Sequence, residues 1–227
     1  MVVLSHTMVI LGACGTSREL YVRFMDRYPA TRVVFVDDKS DIREIRVGDA
    51  VMPVVKDWDF SKVRSGNDAD FRQFIVGPGN PQVKQILVER ALAAGLEPAP
   101  TLVDNTAVVY TESIGPGGFI GPQCAVGPQV KIGAYVTLIG LIAVGHDCVL
   151  EDYVTCTPGV VIAGSCHVGK ASYFGIGSMV HHKLNIAPGT VAGAQSCLVK
   201  DVLEPHSVMV GVPAKKIHVS PESPSKE

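Results

Sequence analysis

A six-residue repeat in the second half of this 227-residue chain constrains the fold more than any other feature. Every sixth residue is apolar over fifteen successive positions: Ile114, Ile120, Val126, Ile132, Leu138, Val144, Leu150, Cys156, Ile162, Val168, Phe174, Val180, Ile186, Ala192 and Leu198. An α-helical face repeats every 3.6 residues and does not fit a period of six, and the run is too long for hairpins. The repeat therefore predicts a solenoid of short parallel strands.

Two other positions of the repeat have a restricted composition. The residue after each apolar position is often glycine or alanine, as at Gly115, Gly145 and Ala163. The residue four places after it is small or β-branched in most repeats, as at Cys148 and Val154. No insertion interrupts the register, so the solenoid is expected to be continuous.

The first hundred residues have a different pattern, in which strand-like and helix-like segments alternate. Strands are predicted at 8–11, 32–36 and 71–76, and helices at 17–28 and 82–94. Asn80 is a candidate N-cap with Pro81 at the first helical position, and Gly95 is a candidate C-terminal glycine. This alternation predicts a small parallel α/β sheet of the nucleotide-binding kind, whose ligands lie beyond the carboxyl ends of the strands.

The change of pattern near Asp104 divides the chain into domains. We predict a small α/β domain over 1–104, an all-β solenoid over 105–217 and a flexible tail over 218–227.

Composition excludes several classes of function. Twenty basic and 22 acidic residues give a net charge of −2, so there is no excess of positive charge for binding nucleic acid. No apolar run approaches the roughly 20 residues needed to span a membrane, and Met1–Thr7 lacks the features of a secretory signal, which favours a cytoplasmic protein without membrane insertion. The six cysteines have no zinc-ligand spacing and are expected to be small buried residues, so no metal is predicted.

One polar pair, His146 and Asp147, interrupts a region that is otherwise glycine and aliphatic. Imidazole titrates near neutral pH, so His146 can accept a proton from an attacking amine or hydroxyl. Asp147 can orient the imidazole and stabilise its protonated form. The alternative is that both residues occupy an ordinary solvated corner.

Three local sequences carry a resemblance to a known family. They are Gly12-Ala13-Cys14-Gly15 followed by Phe35-Val36-Asp37-Asp38-Lys39, Gly145-His146-Asp147-Cys148-Val149, and Val208-Met209-Val210-Gly211-Val212-Pro213-Ala214-Lys215-Lys216-Ile217. Together with the repeat, they are similar to the hexapeptide-repeat sugar O- and N-acetyltransferases of bacterial surface-glycan synthesis. Members act on sialic acid or on nucleotide-linked amino sugars such as the bacillosamine and perosamine precursors.

The resemblance implies a left-handed parallel β-helix of triangular cross-section, with three hexapeptides in each coil and five coils over 114–203. It also implies acetyl-CoA as co-substrate, no metal, and a homotrimer with active sites between adjacent prisms. One wall alone would give a thioester little shelter from water, and a neighbouring prism would supply the second.

The same resemblance implies roles for individual residues of the prism. His146 corresponds to the general base of the family. With eighteen residues per coil, Gly164 and His182 fall in the same column as His146, and the Gly164 N–H would donate to the acetyl carbonyl oxygen. Residues expected to line the acetyl-CoA groove are Gly164, Ile176, Gly193, Ala194 and His182, although plain surface is the favoured alternative for His182.

In the amino-terminal domain the resemblance implies a nucleotide-sugar site. The expected substrate-binding residues are Gly12, Gly15, Thr16, Asp37, Asp38 and Lys39. The glycine turn admits phosphate, the two carboxylates accept from ribose or base, and Lys39 adds positive charge.

The predicted activity is acetyl transfer to the amino group of a nucleotide-linked amino-deoxy sugar. O-acetylation of a hydroxyl, as on sialic acid, and a non-catalytic nucleotide-sugar-binding prism remain alternatives. Thr16 and Thr155 stand where relatives often carry histidine, so the identity of the acceptor is not implied.

Overall fold

The computed structural model describes residues 7–29, 31–58 and 73–219. The chain forms two compact units, one from Met1–Pro78 with Val83–Pro100 and one from Gly79–Gln82 with Thr101–Glu227. The predicted fold classes, an α/β unit and a left-handed parallel β-helix, are confirmed. The predicted tail lies outside the described residues from position 220 onward. Among the described residues, no helix is both long enough and apolar enough to cross a bilayer.

The amino-terminal elements form a six-stranded sheet with two helices. In chain order they are β1 (Thr7–Leu11), α1 (Gly15–Arg27), β2 (Arg32–Val36), β3 (Glu44–Val47), β4 (Ala50–Val55), β5 (Gln73–Val76), α2 (Pro81–Ala93) and β6 (Glu97–Pro98). The sheet order is β3-β4-β2-β1-β5-β6, and every pairing is parallel except β3 with β4. The core strand β1 is completely buried, as are most residues of β2 and β5.

The ends of α2 follow the predicted signals. The Asn80 side-chain oxygen accepts the Gln82 N–H at 3.0 Å, and the helix begins at Pro81. Gly95 has a φ of +79°, and the following N–H of Leu96 donates back to the Ala91 carbonyl at 3.0 Å. The β3–β4 hairpin was not predicted, although Glu44–Val47 alternates charged and apolar residues and Gly48-Asp49 forms a two-residue turn before β4.

The second unit is the predicted solenoid. Its strands are β7 (Leu102–Val103), β8 (Val108–Val109), β9 (Phe119–Ile120), β10 (Ala125–Val126), β11 (Lys131–Ile132), β12 (Thr137–Leu138), β13 (Ala143–Val144), β14 (Val149–Leu150), β15 (Thr155–Cys156), β16 (Val161–Ile162), β17 (His167–Val168), β18 (Tyr173–Phe174), β19 (Met179–Val180), β20 (Asn185–Ile186), β21 (Val191–Ala192), β22 (Cys197–Leu198), β23 (Ser207–Val210) and β24 (Lys215–Val219).

These strands stack into three parallel walls. The first wall contains β7, β9, β12, β15, β18, β21 and β23, with β24 added antiparallel at its end. The second wall contains β8, β10, β13, β16, β19 and β22, and the third wall contains β11, β14, β17 and β20. Equivalent residues in successive coils are eighteen apart, as in the pairing of Val144 with Ile162.

The backbone explains why the repeat has this composition. Every sixth residue from Gly117 to Gln195 has a φ between 54° and 79°, which turns the chain at each corner. At Gly145, which follows an inward-pointing valine, an added Cβ would lie 2.5 Å from the Gly164 nitrogen of the next coil. Small residues at this position therefore allow adjacent coils to stack.

The inward apolar positions form one continuous core. From Ile120 to Leu198 each of them is at most 5% exposed. Cys124, Cys148, Cys156 and Cys166 are buried as predicted, whereas Cys14 and Cys197 are only partly buried. The structure adds strands before the predicted first repeat, where Val103 pairs with Ile120 at a spacing of seventeen residues. Because a regular coil has eighteen residues, this one-residue difference breaks the six-residue period, and the period therefore did not predict the first turn.

Candidate active site

His146 lies at the corner between the second and third walls, between β13 and β14. Its side chain is 64% exposed, and its Nδ1 is 2.7 Å from Oδ2 of Asp147, which is 52% exposed. The sequence alone did not determine where Asp147 points. With Nδ1 paired to the carboxylate, Nε2 is the ring nitrogen left to accept a proton.

The backbone of this pair is held from both sides. The Asp147 N–H donates to the Pro128 carbonyl of the preceding coil at 3.1 Å, and the His146 carbonyl accepts the Ser165 N–H of the next coil at 2.7 Å. Asp147 occupies the left-handed corner position with a φ of 58°, which aspartate tolerates better than most residues. The coil geometry therefore places the carboxylate beside the imidazole.

Gly164 lies one coil beyond His146, against its ring. A Cβ at Gly164 would lie 2.7 Å from His146 Nε2 and 2.8 Å from Cε1. Among the described residues, no backbone carbonyl accepts the Gly164 N–H. The free edge of the imidazole therefore lies next to bare backbone, and the nearby amide donor is available to a ligand.

His182 continues the same column, one coil beyond Gly164. Its ring lies 4.1 Å, centroid to centroid, from that of His181. Both side chains are exposed. We define the His146 corner as the column formed by His146, Gly164 and His182.

The other residues predicted to contact acetyl-CoA lie at a different corner. Ile176, 58% exposed, follows β18 at the turn between the first and second walls, and Ala194 lies one coil beyond it. Gly193 uses its backbone internally, because its N–H donates to the Met209 carbonyl at 2.8 Å. The second wall lies between this corner and the His146 corner, so the predicted cofactor residues flank that wall on both sides.

Between the two corners, the second wall exposes apolar side chains. Val161 is 42% exposed and Met179 is 44% exposed, and they pair in adjacent strands β16 and β19.

Thr155, on the first wall, is fully buried, and its hydroxyl has no hydrogen-bond partner among the described residues.

In the amino-terminal unit, the glycine turn leads from β1 into α1. Gly12 has a φ of +84°, and a Cβ there would lie 2.4 Å from the Pro78 ring, so the fold itself requires this glycine. Gly15 and Thr16 begin α1, where no side chain caps the helix and no acidic residue lies in the first turn. An uncapped helix N-terminus of this kind favours an anionic ligand.

Asp37, directly after β2, organises the adjacent loop. Its carboxylate accepts N–H groups from Ala13 at 2.9 Å, Lys39 at 3.0 Å and Ser40 at 2.9 Å. Burial opposes ionisation of Asp37, but the hydrogen bonds from Ser40, Ala13 and Lys39 outweigh it and lower its pKa below 3.8. Asp37 thus connects the loop to the glycine turn through hydrogen bonds. The sequence had suggested only a substrate-binding role for this residue.

Asp38 forms an ion pair with Arg90 of α2, through Oδ2 and Nη1. The other carboxylate oxygen, Oδ1, is buried and has no hydrogen-bond partner among the described residues. The sequence did not identify Arg90 as the partner of Asp38, because the two residues are far apart in the chain. Helix α2 also contains no motif that marks a functional position. Lys39 follows on the same loop and donates only its backbone N–H to Asp37.

A second histidine–carboxylate pair lies on the third wall. His167 Nε2 is 2.7 Å from Glu151 Oε1, and the second oxygen of Glu151 accepts the Lys170 N–H at 2.8 Å. The His167 hydrogen bond lowers the pKa of Glu151, and the bond from Lys170 acts in the same direction. Within the described ranges, no group of three or more histidine, cysteine, aspartate or glutamate side chains could hold a metal ion.

Together, the α/β unit and the histidine-bearing prism define the fold of the hexapeptide-repeat sugar acetyltransferases, and the predicted resemblance is confirmed. No family profile matches the sequence. The acetyltransferase domain of PglB from Neisseria gonorrhoeae, solved with acetyl coenzyme A, is 25% identical with a TM-score of 0.77 and covers 94% of this chain and 100% of its own.

Two further structures are similar over nearly the whole chain. Perosamine N-acetyltransferase from Caulobacter crescentus, in a histidine-to-asparagine variant with CoA and GDP-perosamine, is 24% identical with a TM-score of 0.79 over 93% of this chain and 97% of its own. WeeI from Acinetobacter baumannii is 24% identical with a TM-score of 0.80, and the match covers 93% of this chain and 99% of its own.

Proposed function

We propose that this protein is an acetyltransferase that moves acetyl from acetyl-CoA to the amino group of a nucleotide-linked amino-deoxy sugar in surface-glycan biosynthesis. The observation that carries the proposal is the contact at the His146 corner. There the imidazole is oriented by Asp147 through Nδ1, and its Nε2 edge faces the bare backbone of Gly164.

In this reaction His146 Nε2 accepts the proton of the amine as nitrogen attacks the thioester carbonyl carbon. Asp147 accepts the Nδ1–H and stabilises the imidazolium that forms. The Gly164 N–H donates to the carbonyl oxygen as negative charge develops on it. The carbon–sulfur bond then breaks, and the CoA thiolate takes up a proton. No covalent enzyme intermediate is needed.

The acetyl-CoA groove is proposed to extend along the second wall. Exposed apolar side chains of Val161 and Met179 suit the methylene and gem-dimethyl groups of the pantetheine arm. Ile176, Gly193 and Ala194 would line one side of this groove, and Gly164 and His182 the other. Similarity to the PglB acetyltransferase domain, which was solved with acetyl coenzyme A, supports acetyl-CoA as the co-substrate.

The nucleotide end of the acceptor is proposed to bind in the α/β domain, residues 1–104. Gly12, Gly15 and Thr16 would present the α1 N-terminus to phosphate. The loop of Asp37, Asp38 and Lys39 would contact the ribose or the base. Similarity to the enzyme solved with GDP-perosamine supports a nucleotide sugar as the acceptor.

We further propose a cytoplasmic homotrimer in which adjacent prisms share each active site. The column at the His146 corner is exposed on a single prism, and a thioester requires protection from water. Closed threefold symmetry would form three equal grooves from one kind of contact.

Acceptor screening tests the proposal. UDP-, dTDP- and GDP-linked amino sugars, their hydroxyl counterparts and free sialic acid are incubated with acetyl-CoA, and thiol release is measured. Transfer to an amino sugar supports the proposal. Transfer only to a hydroxyl would identify an O-acetyltransferase, and nucleotide-sugar binding without thiol release would identify a non-catalytic prism.

A further inference from the structure

Lys56 lies directly after β4, at the carboxyl edge of the amino-terminal sheet. β4 pairs with β2 in parallel, with Val36 opposite Val55, so Lys56 lies beside the loop that follows β2. The Asp37 N–H continues this pairing by donating to the Val55 carbonyl at 3.0 Å. A lysine that is distant in sequence therefore lies next to the proposed nucleotide loop.

The Lys56 ammonium is directed into that loop. Its Nζ donates to the Asp37 carbonyl at 2.9 Å and to the Ser40 carbonyl at 2.6 Å, and it lies 3.4 Å from the Ser40 hydroxyl. Lys56 is only partly exposed. Hydrogen bonds from a charged donor to backbone carbonyls are stronger than neutral ones, so this contact restrains both ends of the loop.

The loop is also held from its inner side by its own carboxylate. Asp37 accepts the backbone N–H groups of Ala13, Lys39 and Ser40. The loop backbone is therefore held by a carboxylate that binds the amides of residues 39 and 40 and by an ammonium that binds the carbonyls of residues 37 and 40. Asp38 and Lys39 lie in sequence between the two carbonyls that the ammonium holds. Arg90 separately holds the Asp38 carboxylate.

From this geometry we infer that Lys56 is a positioning residue for the nucleotide, an inference that rests on the proposed function. Its ammonium fixes the 37–40 loop in the conformation that presents Lys39 to the nucleoside diphosphate part of the acceptor. Lys56 acts through the loop backbone and takes no part in acetyl transfer. Without the ammonium the two carbonyls are no longer held and the loop becomes mobile. Nucleotide binding must then order the loop, and this loss of conformational entropy weakens the affinity.

The test compares Lys56→Met with Lys131→Met in the full-length protein. Methionine has a similar length but no donor, and Lys131 is an exposed lysine on β11 of the prism, outside the proposed binding groups. We expect Lys56→Met to raise the KM for the nucleotide sugar and the Kd for the best-binding of UDP, dTDP and GDP by roughly tenfold. The kcat and the KM for acetyl-CoA are expected to stay within twofold of wild type.

A second measurement does not depend on turnover. Hydrogen exchange of the peptide covering 37–40 should speed up in Lys56→Met and stay unchanged in Lys131→Met, because the Lys39 and Ser40 amides lose part of their restraint. Lys56→Arg keeps a charged donor and is expected to restore slow exchange and most of the nucleotide affinity.

The outcomes separate the inference from the proposed function. If wild type acetylates a nucleotide sugar but Lys56→Met leaves its KM, the nucleotide Kd and loop exchange unchanged, the inference is wrong and the function stands. Equal loss of acetyl-CoA and nucleotide affinity would also overturn it, since that result indicates general unfolding. If wild type acetylates no nucleotide sugar and binds none of the three nucleoside diphosphates, the function fails and the inference fails with it.

Discussion

The imidazole of His146 fills the space that a side chain at position 164 would occupy. A Cβ on Gly164 would lie 2.7 Å from Nε2, 2.8 Å from Cε1 and 3.0 Å from Cδ2 of that ring. We expected this glycine to line the acetyl-CoA groove. The structure shows that its first contact is with the proposed base, so the absence of a side chain is needed to keep the imidazole in place.

This contact predicts the effect of Gly164→Ala. The added methyl group would displace the exposed His146 ring, which is free to rotate away, and not the buried backbone of the coil. We expect a loss of about 10²-fold or more in kcat, because a misplaced base no longer reaches its proton. Circular dichroism should show an intact fold, and the Kd for acetyl-CoA should change by only a few-fold.

A double variant gives the control for this interpretation. If Gly164→Ala acts only by moving the imidazole, then adding it to His146→Ala should cause little further loss of kcat. A full additional loss in the double variant would show that Gly164 has a separate role, such as leaving space for the thioester that the methyl group would block.

His146→Ala itself is predicted to lower kcat by about 10² to 10⁴ with little change in the Kd for acetyl-CoA, because it removes the general base. His167→Ala is a matched control. His167 is also exposed and also lies 2.7 Å from a carboxylate, that of Glu151, but it is on strand β17 of the third wall and outside the column of His146, Gly164 and His182. Steady-state thiol release should separate the two, and an equal loss in both variants would contradict the assignment of the base.

The sequence predicted the prism well because each coil depends on local composition. One inward aliphatic residue, one small residue and one corner residue in every six are enough to define the strands, and the stacked coils repeat the same contacts. The turn before Ile114 was missed because a spacing of seventeen, between Val103 and Ile120, breaks the strict period. The β3–β4 hairpin was missed although the sequence carries signals for it: Glu44–Val47 alternates charged and apolar residues, and Gly48-Asp49 is a two-residue hairpin turn.

The site was only partly predictable. The His146 column followed from counting eighteen residues per coil, and the Asp147 contact is between neighbours in sequence. Arg90 and Lys56 could not be found in this way, because the sheet order brings them to the loop after β2 from distant segments. Ionic and hydrogen-bond partners of this kind depend on tertiary structure.

Asp37 provides a prediction about pH. Its pKa is lowered in the folded protein, so its contribution to stability is present above the ordinary value of 3.8 and is lost as the pH falls through the lower folded value. Asp37→Asn should therefore destabilise the amino-terminal unit by about 1–2 kcal/mol at pH 7, since an amide accepts through one oxygen only. The difference from wild type should persist to pH 5 and shrink below pH 4.

Thermal unfolding followed by helical circular dichroism measures this effect, because both helices of the described residues, α1 and α2, are formed by the amino-terminal part of the chain. Asp49→Asn, at an exposed position in the β3–β4 turn, is the control and should match wild type at each pH. A destabilisation by Asp37→Asn that does not change between pH 7 and pH 3 would show that the ionised carboxylate is not responsible.

The final prediction concerns assembly through the second wall. Val161 and Met179 lie in adjacent strands of that wall and are 42% and 44% exposed, so a glutamate at Val161 would place a charge within the proposed groove between prisms. We expect wild type to have three times the chain mass of 24.1 kDa in light scattering, and Val161→Glu to dissociate and lose activity together. Lys131→Glu changes the charge on the third wall and should leave mass and turnover unchanged. Full specific activity in a wild-type monomer at nanomolar concentration would contradict both the trimer and the shared active site.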